Sequence, residues 1–332
     1  MSQTSSYIST HDKIQLVNYL ERLGKTDFVQ EIISGLQSNP KRIPSKFFYD
    51  AKGSLLFEEI TRLDEYYPTR TERSILKDIV SKIFKGLEDT DIIELGSGDG
   101  SKMLILLNEM PEGNQQSITY IPVDFSQSAV EKSIRFLSSA FPSLNFLGIT
   151  ADFLSQVHLI PRNRRRLFCF LGSTLGNLNP DEAHKFLSNV RKAMDDGDEL
   201  LLGVDMVKDE DVLNKAYNDS KGITAAFNLN ILNVSNQVAG TNFNPDDFEH
   251  IAFFNAEYSR IEMHLKAVHD IQIKSPSLIN PIHILRDNTI HTENSYKQTL
   301  SSIEKLLNGC NLKIKEVYSD SRGWFSVLHV TN

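Results

Sequence analysis

The stretch from residue 91 to residue 102 constrains the fold of this chain more than any other part of the sequence. It begins with a short apolar run at 92–93, typical of a buried strand, and continues with glycines at positions 96, 98 and 100. Apolar residues then recur at helical spacing from Met103 onward. A strand, a glycine turn and a helix in this order place backbone N–H groups and a helix N-terminus against a nucleotide-like ligand. The sequence therefore predicts a site for such a ligand directly after this strand.

Acidic residues follow the next two predicted strands. Asp124 ends the strand at 119–123, and Asp152 and Phe153 follow the strand at 144–149. A carboxylate after the second strand is placed to bind the two hydroxyls of a ribose. A carboxylate beside an aromatic ring suits an adenine, since one can accept from the exocyclic amine while the other packs on the ring. The third glycine comes one residue earlier than in the nicotinamide pattern Gly-x-Gly-x-x-Gly, so the sequence favours S-adenosylmethionine.

Strands and helices alternate regularly up to residue 206. The predicted strands are at 91–95, 119–123, 144–149, 167–171 and 199–204, and the predicted helices include 127–140 and 180–194. This alternation predicts an α/β fold with a doubly wound, Rossmann-like parallel sheet whose ligand lies at the carboxyl ends of the strands. Two closing strands at 312–318 and 324–331 are those expected of a class I S-adenosylmethionine-dependent methyltransferase sheet.

The remaining segments are predicted to form a second, substrate-binding lobe. Their predicted elements are a helix over about 13–37, helical structure over 208–238 and a hairpin at 250–274. A helix from 71 to 87 is predicted before the first strand of the sheet, and a helix near 295–308 before its two closing strands. We therefore expect a cofactor-binding domain of residues 71–206 plus 298–332. The N-terminal region, 1–70, and the insertion, 207–297, are expected to build the substrate lobe.

The composition excludes several functional classes. The net charge of −8 argues against a nucleic-acid partner, and the one basic cluster, at 162 and 164–166, is interpreted as a solvated loop. Two cysteines cannot form a disulfide framework, and no spacing typical of a zinc site occurs, so we expect no metal. Cys169, inside an apolar strand, is interpreted as a small core residue.

The N-terminal segment is polar, and no apolar run approaches the roughly 18 residues of a membrane span. We therefore expect a cytoplasmic protein without a membrane partner, and a monomer.

Aromatic residues cluster between 47 and 67, beside a glycine and a proline. They are Phe47, Phe48, Tyr49, Tyr66 and Tyr67. Such a cluster is typical either of a structured loop over a pocket or of rings that close the core. For Tyr49 and Tyr66 composition alone leaves both interpretations open.

Several longer motifs resemble one family, the histidine Nα-methyltransferases of ergothioneine biosynthesis. The motifs are Lys46-Phe-Phe-Tyr-Asp, Glu65-Tyr-Tyr-Pro-Thr-Arg, Glu94-Leu-Gly-Ser-Gly, Phe170-Leu-Gly-Ser-Thr-Leu-Gly-Asn-Leu, Asp205-Met-Val-Lys-Asp and Thr292-Glu-Asn-Ser-Tyr-Lys. They occur in order over about residues 40–300, and the chain departs from the family pattern at Asp99 and Gly100. The resemblance implies three successive methylations of the α-amine of L-histidine by S-adenosylmethionine, giving hercynine.

The resemblance also implies individual site residues. Cofactor contacts fall on Gly96, Gly98, Lys102, Asp124, Asp152 and Phe153, and substrate contacts on Tyr66, Asn177, Tyr217, Met263, Glu293, Asn294 and Ser295. Asn177 and Tyr217 would hold the carboxylate, Glu293 and Ser295 the imidazole, and Met263 would form a pocket wall. Tyr49 and Thr174 would line the same pocket and help to position the substrate.

Methyl transfer requires positioning rather than a catalytic dyad or a metal, so no residue is assigned as catalytic. Two alternatives remain at this point: the same reaction on another amino acid, such as a tryptophan derivative, or a regulator that binds S-adenosylmethionine without catalysis. Glu293 has an alternative interpretation too, as an acid at the start of a helix beginning near Ser295.

Overall fold

The computed structural model describes residues 13–20, 25–83, 87, 89–110 and 112–332. The chain divides into two compact units. The sheet unit contains residues 13–20, Pro68–Val207 and Gln298–Asn332, and the insert unit contains residues 25–67 and Lys208–Lys297. Residues 13–20, which the sequence analysis assigned to the substrate lobe, thus lie in the sheet unit.

The secondary structure of the described residues follows in chain order. The strands are β1 (Ile14–Asn18), β2 (Lys41–Arg42), β3 (Thr90–Leu95), β4 (Thr119–Asp124), β5 (Asn145–Thr150), β6 (Arg165–Phe170), β7 (Glu199–Asp205), β8 (Phe248–Asn255), β9 (Arg260–Ala267), β10 (Ile271–Ile273), β11 (Ile282–Ile284), β12 (Thr289–Tyr296), β13 (Lys313–Ser319) and β14 (Phe325–Thr331). The helices are α1 (Lys25–Gln37), α2 (Ala51–Ile60), α3 (Tyr67–Ile83), α4 (Ser101–Asn108), α5 (Gln127–Ala140), α6 (Phe153–Gln156), α7 (Pro180–Ala193), α8 (Glu210–Tyr217), α9 (Ile223–Ala239) and α10 (Leu300–Gly309).

The sheet unit is built on one mixed sheet with the strand order β1-β5-β4-β3-β6-β7-β14-β13. The strands from β1 to β7 in this order are parallel, and β14 and β13 close the sheet antiparallel. Strand order reverses on either side of β3, because the chain moves outward through β4 and β5 and then returns to β6. A ligand is expected at the carboxyl ends of the strands at this reversal. The predicted doubly wound fold is confirmed.

Both faces of the sheet are covered by helices. Ile92 and Ile93, adjacent in β3, point to opposite faces and are both fully buried. The first face packs against α3, α4 and α5, and the second against α7 and α10. Cys169 is buried in the first of these cores, as predicted.

The predicted helix over 13–37 is wrong in its first part. Residues 14–18 form strand β1, which pairs in parallel with β5, and only Lys25–Gln37 is helical. Residues 21–24 lie outside the described part of the chain. The apolar residues Ile14 and Leu16 alternate along the strand and pack on the core of the sheet unit, and this period of two was hidden inside a longer helical stripe.

Three other predicted boundaries differ from the structure. Helix α3 begins at Tyr67, before the predicted start. The helical region predicted after residue 207 is two helices, because Asp219 accepts hydrogen bonds from the Ile223 and Thr224 N–H groups and so starts α9 as a separate helix. The predicted helix near 295–308 begins only at Leu300, where the Thr299 side chain caps it. Residues 295 and 296, predicted to start this helix, are instead the last two residues of strand β12.

The basic cluster contains one residue that is not in a solvated loop. Arg166 is 1% exposed and lies in β6. Its guanidinium donates to Asp198 Oδ2 and, at 2.6 Å, to the Ala193 carbonyl oxygen. Arg166 is therefore a structural residue that joins β6 to the loop before β7.

The insert unit contains a four-stranded sheet of order β2-β12-β9-β8, with β8 and β9 forming the predicted hairpin. Helix α9 packs against this sheet and also contacts α1 and α2. Phe227 of α9 stacks on Phe48 at a ring-centroid distance of 4.6 Å. In the part of the chain that the structure describes, no helix combines the length and apolar character needed to cross a membrane.

Candidate active site

The loop between β3 and α4 follows the strand at the point where the order reverses. Its glycines 96, 98 and 100 all have positive φ angles, which residues with a Cβ rarely adopt. The Gly98 N–H donates to Asp124 Oδ2 at 3.3 Å, and the Ser126 N–H donates to Asp124 Oδ1 at 2.9 Å. Burial raises the pKa of Asp124, and these N–H groups oppose that shift. The loop and the end of β4 therefore form one hydrogen-bonded unit.

Asp152 and Phe153 lie beside the same loop, after the neighbouring strand β5. The Phe153 ring is so close to Gly96 that a Cβ there would lie 3.8 Å from the ring. Asp152 Oδ1 accepts from the Leu154 N–H at 3.1 Å, and its Oδ2 accepts from the Ser155 hydroxyl at 3.0 Å. The structure thus brings Gly96, Gly98, Asp124 and Phe153 together at one edge of the sheet, with Asp152 adjoining them.

Lys102, in the first turn of α4, is held by a side chain that the sequence analysis did not identify. Glu72 of α3 is fully buried, and its Oε2 lies 2.8 Å from Lys102 Nζ. Its Oε1 accepts from the Gly172 N–H at 2.7 Å. A Cβ at Gly203 would collide with Glu72 Oε1, so only glycine leaves room for the carboxylate. Glu72 therefore joins α3 and α4 to the loop after β6.

The loop after β6 carries two of the predicted pocket residues. Ser173 has a φ of 58°, a conformation that non-glycine residues seldom adopt, and its Oγ accepts from the Asp205 N–H at 2.9 Å. A short 3-10 turn, Thr174–Asn177, follows. Thr174 donates to the Leu171 carbonyl oxygen at 3.0 Å, while Asn177 ends the turn half-buried. Hydrogen bonds of the Ser173 and Thr174 side chains to backbone groups thus hold this loop in place.

A buried acid lies behind the glycine loop. Glu94 of β3 is 3% exposed and accepts from the Tyr120 hydroxyl at 2.5 Å. The Tyr120 oxygen is also 3.0 Å from Ser133 Oγ. Burial raises the pKa of Glu94 to about 8, although the Tyr120 hydrogen bond and the charge of Lys102 oppose the shift. Glu94 is therefore largely protonated at neutral pH in the folded protein.

In the insert unit, three polar side chains form a closed triangle. Tyr217 Oη donates to Ser295 Oγ at 2.8 Å. Lys297 Nζ donates to both, at 2.8 Å to Ser295 Oγ and at 3.2 Å to Tyr217 Oη. All three are less than 9% exposed. Lys297 ends one of the sequence motifs and was assigned no role there, and the structure places it beside two of the predicted substrate residues, Ser295 and Tyr217.

Glu293 lies two residues before Ser295 on β12, so both side chains point to the same face of the strand. It is 8% exposed and lies opposite Met263, itself 1% exposed, on β9. Burial raises the pKa of Glu293 to about 7, while the charge of Lys297 lowers it. The helix-start interpretation of Glu293 is wrong, because the residue is inside a strand.

Asn294 is not brought together with these residues. Its side chain lies on the opposite face of β12, where its Oδ1 is 3.0 Å from His291 Nε2. On the same face Glu262, His264 and His291 offer potential metal ligands within 4.8 Å of one another. Glu262 already pairs with Arg260 at 2.7 Å and with His264 at 3.0 Å, so the cluster has protein partners of its own.

Aromatic rings connect Tyr49 with Tyr217 inside the insert unit. Tyr49 contacts Phe57 at a centroid distance of 5.7 Å, Phe57 contacts Tyr66 at 6.3 Å, and Tyr66 contacts Tyr217 at 6.3 Å. All three contacts are edge-on, the geometry that aromatic quadrupoles favour. Tyr66 therefore contacts the polar triangle directly, whereas the rings of Phe57 and Tyr66 lie between Tyr49 and the triangle.

The model of a family of S-adenosylmethionine-dependent, histidine-specific methyltransferases matches residues 28–332. The chain belongs to this family.

Two relatives share the family's substrate in their names. The chain is 36% identical to the histidine N-alpha-methyltransferase of Mycolicibacterium smegmatis, over 95% of this chain and 98% of that protein. It is 39% identical to the histidine N-alpha-methyltransferase of Mycobacterium tuberculosis, over 77% of this chain and 79% of that protein. A 4-dimethylallyltryptophan N-methyltransferase of Aspergillus fumigatus is 25% identical, over 87% of this chain and 89% of that protein.

Among the described residues of this methyltransferase, the sequence analysis missed Glu72 and the part played by Lys297. Neither carries a local signal of burial, since Glu72 lies in a charged stretch of α3 and Lys297 follows a polar strand. Their positions in the sequence could have indicated them, because Lys297 is the last residue of one motif and Glu72 lies two residues after another.

Proposed function

We propose that this methyltransferase transfers methyl groups from S-adenosylmethionine to the α-amino group of L-histidine, three times in succession, giving hercynine. The observation that carries the choice of substrate is the buried Glu293 beside the Ser295–Tyr217 hydrogen bond. A carboxylate and a hydroxyl on one strand face match the two nitrogens of an imidazole. The similarity to histidine N-alpha-methyltransferases at 36–39% identity supports the same substrate.

The residues at the edge of the sheet unit fit the cofactor. Asp124 would accept from the ribose hydroxyls, Asp152 from the adenine amine, and Phe153 would pack on the adenine. Gly96 and Gly98 would let the loop backbone approach the ligand, because no Cβ intervenes. Lys102, anchored by Glu72 at 2.8 Å, would offer its ammonium to a carboxylate of the amino-acid part.

The substrate assignments in the insert unit rest on burial and hydrogen bonding. Glu293 and Ser295 would bind the imidazole, and Met263 would form an apolar wall. Tyr217, which the family motif implies as a carboxylate ligand, donates its hydroxyl hydrogen to Ser295 here and is assigned to holding that residue. Tyr66 would lie near the imidazole. Asn294 is not assigned, since its side chain bonds with His291 instead.

Asn177 and Thr174 lie in the sheet unit, and their proposed roles rest on the family motif alone. Asn177 would act as a carboxylate ligand, and Thr174 would hold the turn that carries it.

The cofactor supplies an electrophilic methyl group on a sulfonium, and the protein supplies placement. The amine must be neutral to attack, and the α-amine of a free amino acid, with a pKa of about 8 or above, is mostly protonated at pH 7. Each transfer forms a C–N bond and breaks a C–S bond, and one proton leaves the nitrogen before each of the three transfers, so the trimethylated nitrogen carries none. Orientation of the amine toward the methyl carbon is the main source of rate.

A tryptophan derivative is the alternative substrate class. An indole has a single N–H and no acceptor, so it could satisfy Glu293 but would offer no acceptor to the hydrogen of the Ser295 hydroxyl. The lower identity to the dimethylallyltryptophan enzyme, 25%, agrees with histidine as the preferred substrate. A non-catalytic regulator would have no need of a buried, polar substrate pocket.

The proposal extends to partners and location. We propose a monomer that acts on a free amino acid in the cytoplasm and does not bind nucleic acid, in keeping with its net charge of −8.

Mass spectrometry tests the function directly. Purified protein incubated with S-adenosylmethionine and L-histidine should give mono-, di- and finally trimethylated histidine, with tryptophan left unmodified. Methylated tryptophan with unmodified histidine would favour the alternative, and binding of cofactor without any methylation would favour the regulator.

A further inference from the structure

Lys297 is an unusual residue for the interior of a protein. Its side chain is 4% exposed, and its Nζ lies 5.0 Å from the centroid of the Tyr217 ring. A lysine is almost never this buried unless its charge has a specific use, because removing an ammonium from water is costly. The backbone N–H of Lys297 donates to the Ser259 carbonyl oxygen at 2.7 Å, which fixes where the side chain starts.

The contacts of Lys297 decide the direction of the hydrogen bonds around Ser295. An ammonium has donors and no acceptor, so the 2.8 Å contact with Ser295 Oγ has only one possible direction. Tyr217 donates to the same oxygen at 2.8 Å. A serine hydroxyl has two lone pairs and one hydrogen, and both lone pairs are now occupied. Ser295 can therefore offer a ligand only its hydrogen.

Glu293 has the opposite character. An ionised carboxylate accepts hydrogen bonds and donates none. The positive charge of Lys297 lowers the pKa of Glu293, against the effect of burial, and so favours the ionised, accepting form. The same lysine thus makes Ser295 a donor and shifts Glu293 toward its ionised, accepting form, which predominates above about pH 7.

We propose that Lys297 is a positioning residue which, through Ser295 and Glu293, makes the pocket select the neutral imidazole in a single tautomer. This inference rests on the proposed function, since it takes histidine as the ligand of these residues. A neutral imidazole has one N–H for Glu293 and one bare nitrogen for the Ser295 hydroxyl, whereas the imidazolium has two N–H groups and would set one against Ser295.

Net charge gives the same selection. When Glu293 is ionised, the charge of Lys297 opposes it, so the lysine weakens the attraction of the carboxylate for a cationic ring. Without the lysine, the carboxylate would be unopposed and Ser295 would regain a lone pair. Both changes favour the imidazolium.

Nitrogen NMR of the bound substrate tests the inference. Histidine labelled with ¹⁵N in the ring is bound at pH 8, where Glu293 is mostly ionised, to the protein saturated with S-adenosylhomocysteine, which prevents turnover. The wild-type complex should show one protonated and one bare ring nitrogen. Two protonated nitrogens would overturn the inference and leave the proposed function intact, whereas absence of histidine binding would contradict the proposed function itself.

The variant Lys297→Met removes the charge and the donors at nearly constant length. We expect its bound histidine to become protonated at both nitrogens. Its Kd for histidine at pH 8 should rise about tenfold or more, because the free ring, with a pKa of about 6.5, must gain a proton to suit the variant. Affinity for S-adenosylhomocysteine should stay unchanged.

The matched control is Lys266→Met on β9, where the lysine is 30% exposed and pairs with Glu249 at 2.9 Å. It should retain the wild-type spectrum and Kd. A Lys297→Met protein that folds and keeps the wild-type spectrum would overturn the role of the lysine, and the wild-type spectrum decides the tautomer independently of any variant.

Discussion

Glu72 and Lys102 form an ion pair inside the sheet unit, with Oε2 2.8 Å from Nζ and the carboxylate fully buried. The other carboxylate oxygen accepts from the Gly172 N–H at 2.7 Å. One side chain therefore fixes a lysine proposed to bind the cofactor and the backbone of the loop that leads to Asn177. The small residue at Gly203 makes this possible, since any side chain there would collide with the carboxylate.

The variant Glu72→Gln should lose both stability and cofactor affinity. It removes the counter-charge of Lys102 while keeping the shape, and one hydrogen bond to a charged group is worth roughly 1.5–3 kcal/mol. Urea unfolding should show a loss in this range, and calorimetry should show S-adenosylhomocysteine binding weakened about tenfold. Glu131→Gln is the matched control, because its 3.9 Å pair with the exposed Arg135 is only partly buried and should contribute less than about 1 kcal/mol. Equal behaviour of the two variants would refute the role given to Glu72.

Glu94 should make the stability of the protein depend on pH. Its pKa in the folded protein is raised to about 8 from an ordinary value of 4.5, chiefly by burial. Because the folded pKa is the higher one, this stabilisation is complete below about pH 4.5 and is lost as the pH rises through about 8.

Glu94→Gln stays neutral at every pH, so it should be more stable than the wild type at pH 9 by on the order of a few kcal/mol. At pH 5 the two should differ little. Free energies of unfolding at both pH values measure the effect, and a difference that is independent of pH would contradict the burial argument.

Asp124→Ala should weaken cofactor binding at least about tenfold, because a charged acceptor for two hydroxyls is lost. Calorimetry with S-adenosylhomocysteine measures this. Asp99→Ala serves as the control, since Asp99 lies in the same loop but caps the Ser101 N–H at 2.9 Å and has no proposed cofactor contact. If both variants bind the cofactor equally well, the assignment of Asp124 fails.

Glu293→Gln should separate substrate recognition from folding. The variant loses the charged acceptor for the imidazole, so kcat/KM for histidine should fall about tenfold or more. Cofactor affinity should not change. Stability at pH 8 should stay equal or rise, because the pKa of Glu293 is raised to about 7 by burial and its charge is therefore costly in the folded protein. Methylation of histidine at the parent rate would remove the main support for the substrate assignment.

The sequence predicted the sheet unit well because its signals are local and periodic. The run around Ile92, the glycines after it and Asp124 each reflect a requirement of the strand-turn-helix unit itself. The end of strand β12 was predicted to start a helix because the strand is mostly polar and lacks the alternation of apolar and polar residues that indicates a strand. The reason why these polar side chains are buried appears only in the folded structure, where Tyr217 and Lys297 form hydrogen bonds with Ser295.

Residues that act through distant partners could not be predicted in this way. In the sequence, Glu72 looks like any acidic residue of a helix and Arg166 like a surface arginine. Only the structure shows that Glu72 pairs with Lys102 and that Arg166 bonds with Asp198. Both are charged groups whose burial depends on contacts about 30 residues or more away in sequence, for which no local pattern exists.

Tandem mass spectrometry of a competition reaction tests the central claim most directly. Histidine, histamine and tryptophan are mixed at equal concentration with the enzyme and S-adenosylmethionine carrying a deuterated methyl group. We predict that histidine alone gains label, up to three methyl groups, and that fragmentation places all of them on the α-nitrogen. Label on a ring nitrogen, or labelling of histamine or tryptophan in place of histidine, would contradict the account.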